Sequence, residues 1–126
     1  MKVAELANYI KDAVDYDIYT NDFPVKAKDN CGFVLLDGGE EPNIYIPTMK
    51  STGFQVMLRH KDQAVGELIA NEVWVLFHGK EHYDIGSDHV YVSMCRQSEP
   101  IYIGEDKNGR SLFSINVACR NRQRSN

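Results

Sequence analysis

Apolar residues recur at helical spacing in two stretches of the chain. In the first, every third or fourth residue is apolar, which predicts an amphipathic helix over residues 2–15. The second helix is predicted from the N-cap Asp62 to about His78, and Gly79 follows as its C-terminal stop. The apolar positions of the first helix are Val3, Leu6, Ala7, Ile10 and Val14.

Short apolar or alternating runs between the two helices predict strands. Residues 17–20 form a short candidate, and the continuously apolar run at 31–37 is expected to lie centrally in a sheet, covered on both faces. Residues 54–60 alternate between apolar and polar positions. The proline-containing segment 40–53 is expected to be a long excursion with at most an edge strand.

The remainder of the chain carries only strand patterns. Strands are predicted at 83–85, 89–97 and 111–119, with an apolar patch at 101–103. Asn108-Gly109 is the strongest hairpin signal in the sequence. The second set of alternating positions in the last strand is the expected core face: Phe113, Ile115, Val117 and Cys119.

The order of these elements predicts an α+β fold, α-β-β-β-α-β-β-β. Strands come in consecutive runs and do not alternate strictly with helices. The expected architecture is a mixed, largely antiparallel β-sheet packed against two α-helices. At 126 residues the chain is expected to form a single domain, 1–126.

The second predicted helix is more apolar than a surface helix requires. Most of its apolar residues cover half the circumference, but Leu68 and Val75 fall within the polar half, beside Glu67 and Glu72. One reading is a deeply buried helix. The other is that Leu68 and Val75 contact a neighbouring subunit.

Composition and charge narrow the class of protein. No run of about 18 apolar residues is present to span a membrane, and no signal-peptide pattern follows Met1, so a cytosolic protein is expected. The net charge of −4 disfavours wrapping around DNA. The end of the chain, 120–126, is basic without an acid; it is expected to be a flexible tail, or else an arm that contacts DNA or an acidic partner.

The sequence carries little sign of chemistry. It has neither a phosphate-binding glycine loop nor a Gly-x-Ser-x-Gly elbow. His78 and His82 have ligand-like spacing but no pair of cysteines to complete a metal site. Cys31, Cys95 and Cys119 lie among apolar residues and are expected to be buried, reduced thiols. We therefore predict no catalytic residue, no cofactor and no metal.

Two segments resemble a known family. One is the strand and helix start Phe54-Gln55-Val56-Met57-Leu58-Arg59-His60-Lys61-Asp62, and the other is Pro100-x-Tyr102-Ile103-Gly104-x-Asp106-x-Asn108-Gly109-Arg110-x-x-Phe113-x-x-Asn116. With the N-terminal amphipathic helix and the Gly-Gly loop near residue 38, they resemble the tail terminator, or minor capsid, proteins of tailed bacteriophages. The resemblance covers nearly the whole chain.

The resemblance implies a structural role in the virion. Such proteins form a ring, usually a hexamer, at the head-proximal end of the tail tube. The ring stops polymerisation of the major tail tube protein and joins the connector protein of the head. DNA passes through the central hole without specific binding. The implied location is the phage tail, assembled in the cytoplasm of a bacterial host.

Five residues are candidates for subunit or tube contacts: Arg59, Leu68, Val75, Asp106 and Arg110. Arg59 and Arg110 are expected to pair with acids such as Asp106 between subunits or within one chain, or else to make an intrachain hydrogen bond that holds the turn. The 39–53 loop and the 104–110 turn are further candidate contact surfaces. The alternatives are another head–tail connector or head-completion subunit, and a small hydrolase or ligand-binding domain that uses Cys95 or a histidine.

Overall fold

A computed structural model describes residues 1–41, 44–46 and 48–124 of the chain. Within these residues the chain forms two helices and seven strands. No helix among these residues is long and apolar enough to cross a membrane. In chain order the elements are α1 Val3–Val14, β1 Ile18–Thr20, β2 Cys31–Leu36, β3 Met49–His60, α2 Gln63–Phe77, β4 Lys80–Ile85, β5 Asp88–Cys95, β6 Ile101–Glu105 and β7 Ser111–Gln123.

The seven strands form one mixed sheet in the order β1-β2-β3-β7-β5-β4, and β6 also pairs with β7. All pairs are antiparallel except β1 with β2. β5 and β6 share one side of β7, since β5 pairs with residues 117–123 and β6 with residues 111–114. The predicted α+β class and the largely antiparallel mixed sheet are confirmed.

Both helices pack on the same face of the sheet, and the core lies between the two layers. The predicted core face of β7 is confirmed, because its alternate residues are buried against α2. Burying such side chains contributes about 1.5–3 kcal/mol each, which makes this layer the main source of stability. The largest fully buried side chains include Phe54, Phe77, Leu6, Ile10, Leu58 and Ile115.

Local signals fix both ends of α2. The Asp62 carboxylate accepts the backbone N–H groups of Ala64 at 2.9 Å and Val65 at 3.3 Å, as an N-cap should. Gly66 is buried, and a Cβ there would lie 2.9 Å from the Phe113 ring, so glycine lets the helix approach β7 closely. Gly79, with φ +71°, turns the chain after the helix.

Three predicted strand boundaries or assignments need correction. β3 begins at Met49, not at residue 54, so residues 49–53 belong to a central strand and not to the excursion. β7 continues to Gln123, so the expected tail cannot begin at residue 120. Both extensions arise because Met49–Thr52 pair with residues 119–122, a ladder that no local pattern reveals. The patch at 101–103 is part of β6, which gives four strands after α2, not three.

β2 lies next to the edge strand and not at the centre of the sheet, which β3 and β7 occupy. Its first four residues are nevertheless buried, because the loop before β2 covers the face opposite the helices. Pro42, Asn43 and Pro47 of the expected excursion, and Ser125 and Asn126 of the expected tail, lie outside the described residues.

Candidate functional site

Arg59 lies at the end of β3 and is buried, with 7% of its surface exposed. Its guanidinium donates to the backbone carbonyls of Lys28 at 2.7 Å and Asp29 at 3.1 Å. The same group lies 4.2 Å from the centroid of the Phe23 ring. Among the described residues Arg59 makes no ion pair with Asp106, and the bonds of its guanidinium within the chain are hydrogen bonds to backbone carbonyls. The side chain instead holds the loop before β2 against the sheet.

Arg110 and Asp106 form the expected pair within one chain. The Arg110 Nε donates to Asp106 Oδ2 at 2.7 Å, and a second nitrogen donates to Asp29 Oδ1 at 3.1 Å. The Asp106 carboxylate also accepts the backbone N–H groups of Asn108 at 2.9 Å and Arg110 at 3.0 Å. These contacts close the β6–β7 hairpin and tie it to the loop before β2.

The pKa of Asp106 shows the balance of forces in this turn. Burial raises the pKa, but the backbone N–H donors and the Arg110 guanidinium outweigh burial and lower it below the ordinary aspartate value. The carboxylate therefore stays charged and keeps all its hydrogen bonds at neutral pH. Asp106 and Arg110 are consequently parts of a preformed turn.

The cysteines are buried thiols, as predicted. Burial raises the pKa of Cys95 to about 11 and that of Cys119 to about 12. The Cys95 thiol donates to the Trp74 carbonyl at 3.4 Å, while His78 Nδ1 accepts the Cys95 backbone N–H at 3.2 Å. The imidazole therefore contacts the backbone and not the sulfur, and this geometry does not activate a nucleophile.

The four histidines lie apart from any metal-binding arrangement. His78 stacks on Trp74 with ring centroids 4.3 Å apart, and His82 stacks on His89. Within the described ranges, no group of three or more His, Cys, Asp or Glu side chains is placed to hold a metal ion.

The outer side of α2 is apolar and acidic. Leu68 is 65% exposed and Val75 is 69% exposed, and both line an open groove between α2 and the end of α1. Glu72 lies between them in the same groove, and Glu67 is also exposed. α2 contains no basic residue, and neither glutamate makes an ion pair among the residues that the structure describes.

The sheet face opposite the helices carries a slot with a cavity volume of about 180 Å³. Its floor is the row of cross-strand neighbours Gly53, Ala118 and Met94, contributed by β3, β7 and β5. Gly53 offers no side chain and Ala118 only a methyl group, which leaves the slot open. Arg120 lines one end of the slot and Arg96 also lines it.

The Gly38-Gly39 loop folds over the slot. The Asp37 carboxylate accepts the Gly39 N–H at 2.9 Å and lies 3.7 Å from the Arg96 guanidinium. A Cβ at Gly53 would lie 2.2 Å from the Asp37 carboxylate, so glycine is required beneath this ion pair. The Glu40 N–H donates to the Ser51 carbonyl at 2.9 Å and attaches the loop to β3.

Two more apolar surfaces are exposed. Residues 101–103 of β6 are 39–51% exposed at the free side of that strand. Residues 44–46, between β2 and β3, are 48–87% exposed. By contrast, the edge strand β4 is protected by charged residues and by the positive φ of His82.

The slot was not visible in the sequence. Its residues come from three strands and one loop, and only the register of the sheet brings them together. One signal could have indicated the slot: Gly53 and Ala118 are both small residues, and each lies on the polar face of its strand. Without the pairing register, these two positions have no relation to each other.

Comparison with known proteins identifies the family. A family model described as bacteriophage tail terminator protein matches residues 4–121, nearly the whole chain. No curated protein matches at the significance required of a relative. One solved structure, whose name carries no functional information, has a TM-score of 0.54 at 13% identity and covers 92% of this chain and 88% of its own. At that identity the likeness supports the fold alone.

Proposed function

This chain belongs to the bacteriophage tail terminator family, and we propose that it forms a six-membered ring that caps the tail tube and joins it to the head. Membership makes it a structural component of the phage tail. The ring, its stoichiometry and its partners are our inference. The proposed partners are copies of the chain itself, the major tail tube protein and the connector protein of the head, and the proposed site of assembly is the bacterial cytoplasm.

The observation that carries the proposal is the presence of two unlike surfaces on opposite layers of the fold. The α2 side presents Leu68 and Val75, and the opposite sheet face presents the slot over Gly53 and Ala118. A closed ring of identical subunits requires two different, complementary patches on each subunit. Two surfaces on opposite layers meet that requirement, whereas a single patch would give only a symmetric dimer.

Other exposed regions suit contacts along the ring axis. The segment 44–46 carries Ile44 and Tyr45, which are more than 80% exposed, and the hydrogen-bonded turn at 106–110 connects β6 to β7. A surface that stops tube growth must bind the last ring of tube subunits and offer the next ring nothing to bind. We assign these two regions to the tube and the connector without choosing which binds which.

The charge of the chain is compatible with passage of DNA through the ring. A net charge of −4 per subunit repels phosphate and favours sliding over adhesion. We therefore propose that Arg120 and Arg122, which lie in β7 and not in a free tail, face another protein and not the lumen.

Deleting the gene from the phage that carries it tests this function. Loss of a terminator leaves tube growth unchecked, so electron micrographs should show tails much longer than normal, and a plasmid copy should restore the normal length. Tails of normal length beside unfilled or leaking heads would instead show a head-completion or connector role. Substituting Cys95 and His78 should leave tail length unchanged, because neither residue has a chemical task in this account.

A further inference from the structure

We propose that the two unlike surfaces bind each other between neighbouring copies: Leu68, Glu72 and Val75 of one subunit seat against the slot and Arg120 of the next. The inference rests on the proposed ring and specifies its subunit contact. It commits to a second copy of this chain as the occupant of the slot.

The donor surface is a single stripe on α2. Glu72 follows Leu68 by four residues and precedes Val75 by three, so the three side chains lie along one face of the helix. Leu68 and Val75 are separated by about 10 Å along the axis. The stripe therefore presents an apolar side chain, a carboxylate and a second apolar side chain in a row, all exposed.

The acceptor surface offers the complementary kinds of group, an apolar floor and a cation beside it. Its floor of Gly53, Ala118 and Met94 is apolar and recessed, and methionine adapts its shape to an incoming side chain. Arg120 stands at the end of the slot, paired in register with Ser51 on β3 and Val92 on β5.

Charge complementarity supports this choice of occupant. Among the residues that the structure describes, neither Arg120 nor Arg122 makes an ion pair with a carboxylate. Arg122 projects from the same face two residues beyond Arg120. Both arginines can therefore form an ion pair with a carboxylate of another chain, and Glu72 can form one with a cation of another chain. Arg96 is already paired with Asp37, and Glu40 is the acid among the residues that line the slot.

Topology explains why the contact must be between copies. The helices cover one face of the sheet and the slot opens on the other, so a subunit cannot fill its own slot. Each copy donates one stripe and accepts another, which is a heterologous contact. Such contacts produce a closed ring when the rotation between copies closes. The next copy supplies an apolar group for the slot and a carboxylate for Arg120.

Charge reversal with rescue tests the contact. Glu72→Arg and Arg120→Glu should each raise the concentration needed for half-maximal ring formation by about tenfold or more, because each places like charges together. The double variant Glu72→Arg/Arg120→Glu should return to within about threefold of the native protein, because every interface regains an opposite-charge pair. Ring mass is read by light scattering, with tail tubes added if the free protein stays monomeric.

Matched controls reverse charges elsewhere. Glu81→Arg and Lys26→Glu change exposed side chains on β4 and in the loop before β2, and both should assemble like the native protein. Circular dichroism melts check that every variant is folded. A double variant that assembles no better than the two single variants would overturn the contact.

Cross-linking gives a second, independent readout. In a Leu68→Cys/Met94→Cys variant, oxidation should produce a ladder of covalent oligomers that ends at the ring, since the native thiols are buried. Each single-cysteine variant is the control and should not give the ladder. Monomers alone, under conditions where rings are present, would contradict the contact.

The outcomes separate this inference from the proposed function. If every charge variant forms rings as the native protein does, the proposed contact is wrong, while the proposed ring is still supported. If Glu72→Arg rings form but fail to cap tubes, the stripe binds the tube protein instead. If Arg120→Glu rings form but retain less DNA, the arginines bind nucleic acid. If the native protein forms no ring with or without tubes, the proposed function fails.

Discussion

Replacing Arg59 by Met should destabilise the subunit strongly, because this buried residue supports the loop before β2 from inside the subunit. Methionine keeps most of the length of the side chain and removes the charge and every N–H donor. The loop over residues 27–30 would then lose the bonds that its carbonyls accept from the guanidinium. The contact with the Phe23 ring would lose its cation.

The magnitude follows from those contacts. A hydrogen bond from a charged donor contributes about 1.5–3 kcal/mol, and a cation over an aromatic ring about 0.5–2 kcal/mol. The loop around Lys28 is exposed, so water replaces part of what is lost, and a total of about 3 kcal/mol is reasonable. With an unfolding entropy of about 2.1 cal/mol/K per residue, this lowers Tm by about 11 °C for a chain of 126 residues.

Urea and thermal unfolding followed by circular dichroism measure the effect. Lys26→Met is the matched control, since it removes an exposed cation from the same loop and should change stability by less than about 0.5 kcal/mol. Amide exchange should also show faster opening of residues 27–32 in Arg59→Met. An Arg59→Met protein that melts like the native one but fails to form rings would refute this reasoning and return Arg59 to the subunit interface.

Three further predictions test local features by unfolding or reactivity. Gly39→Ala should lower the free energy of unfolding by about 2 kcal/mol or more, because the new Cβ would lie 1.9 Å from the Ser51 carbonyl oxygen. Gly38→Ala, where φ is also positive but nothing lies within 4 Å, should lower it by about 1 kcal/mol in the same melts. Asp106→Asn should lower Tm at neutral pH. Because the pKa of Asp106 is lowered in the folded protein, the stabilisation from its carboxylate is fully present above the unfolded pKa of 3.8 and is lost as pH falls through the folded pKa. The Tm values of the native protein and the variant should therefore become equal only in that acid range. A difference in Tm that stays constant with pH would contradict this. Cys95 and Cys119 should resist a thiol reagent at pH 8 and react once the protein is unfolded in urea, and rapid labelling of the folded protein would show that the thiols are not buried.

Sequence patterns predicted the layers well because local physics determines them. The stripe of α1, the Asp62 cap and the Gly79 stop of α2, and the alternation in β7 each act over a few residues. The exposure of Leu68 and Val75 also followed from helical geometry alone. Whether they bind a neighbour remains a prediction.

The sequence could not predict features that depend on register. Residues 49–53 and 120–123 lack a strong strand pattern, and they are strand because of their pairing: residues 49–52 pair with 119–122, and residues 120–123 also pair with β5. The partners of Arg59 are backbone carbonyls, which leave no trace in residue identity. The slot likewise depends on which strands are neighbours, and it became visible only with the sheet order.

Growth of purified tail tubes in the presence of this protein tests the central claim, that the chain acts by assembling with itself and with the tube. Polymerising tube protein is mixed with a small molar fraction of the chain, and tube lengths are measured by electron microscopy. We predict that tubes stop growing and carry one ring of density at a single end, with shorter tubes as more protein is added. Tube lengths that do not depend on the protein, with no density at either end, would contradict the account.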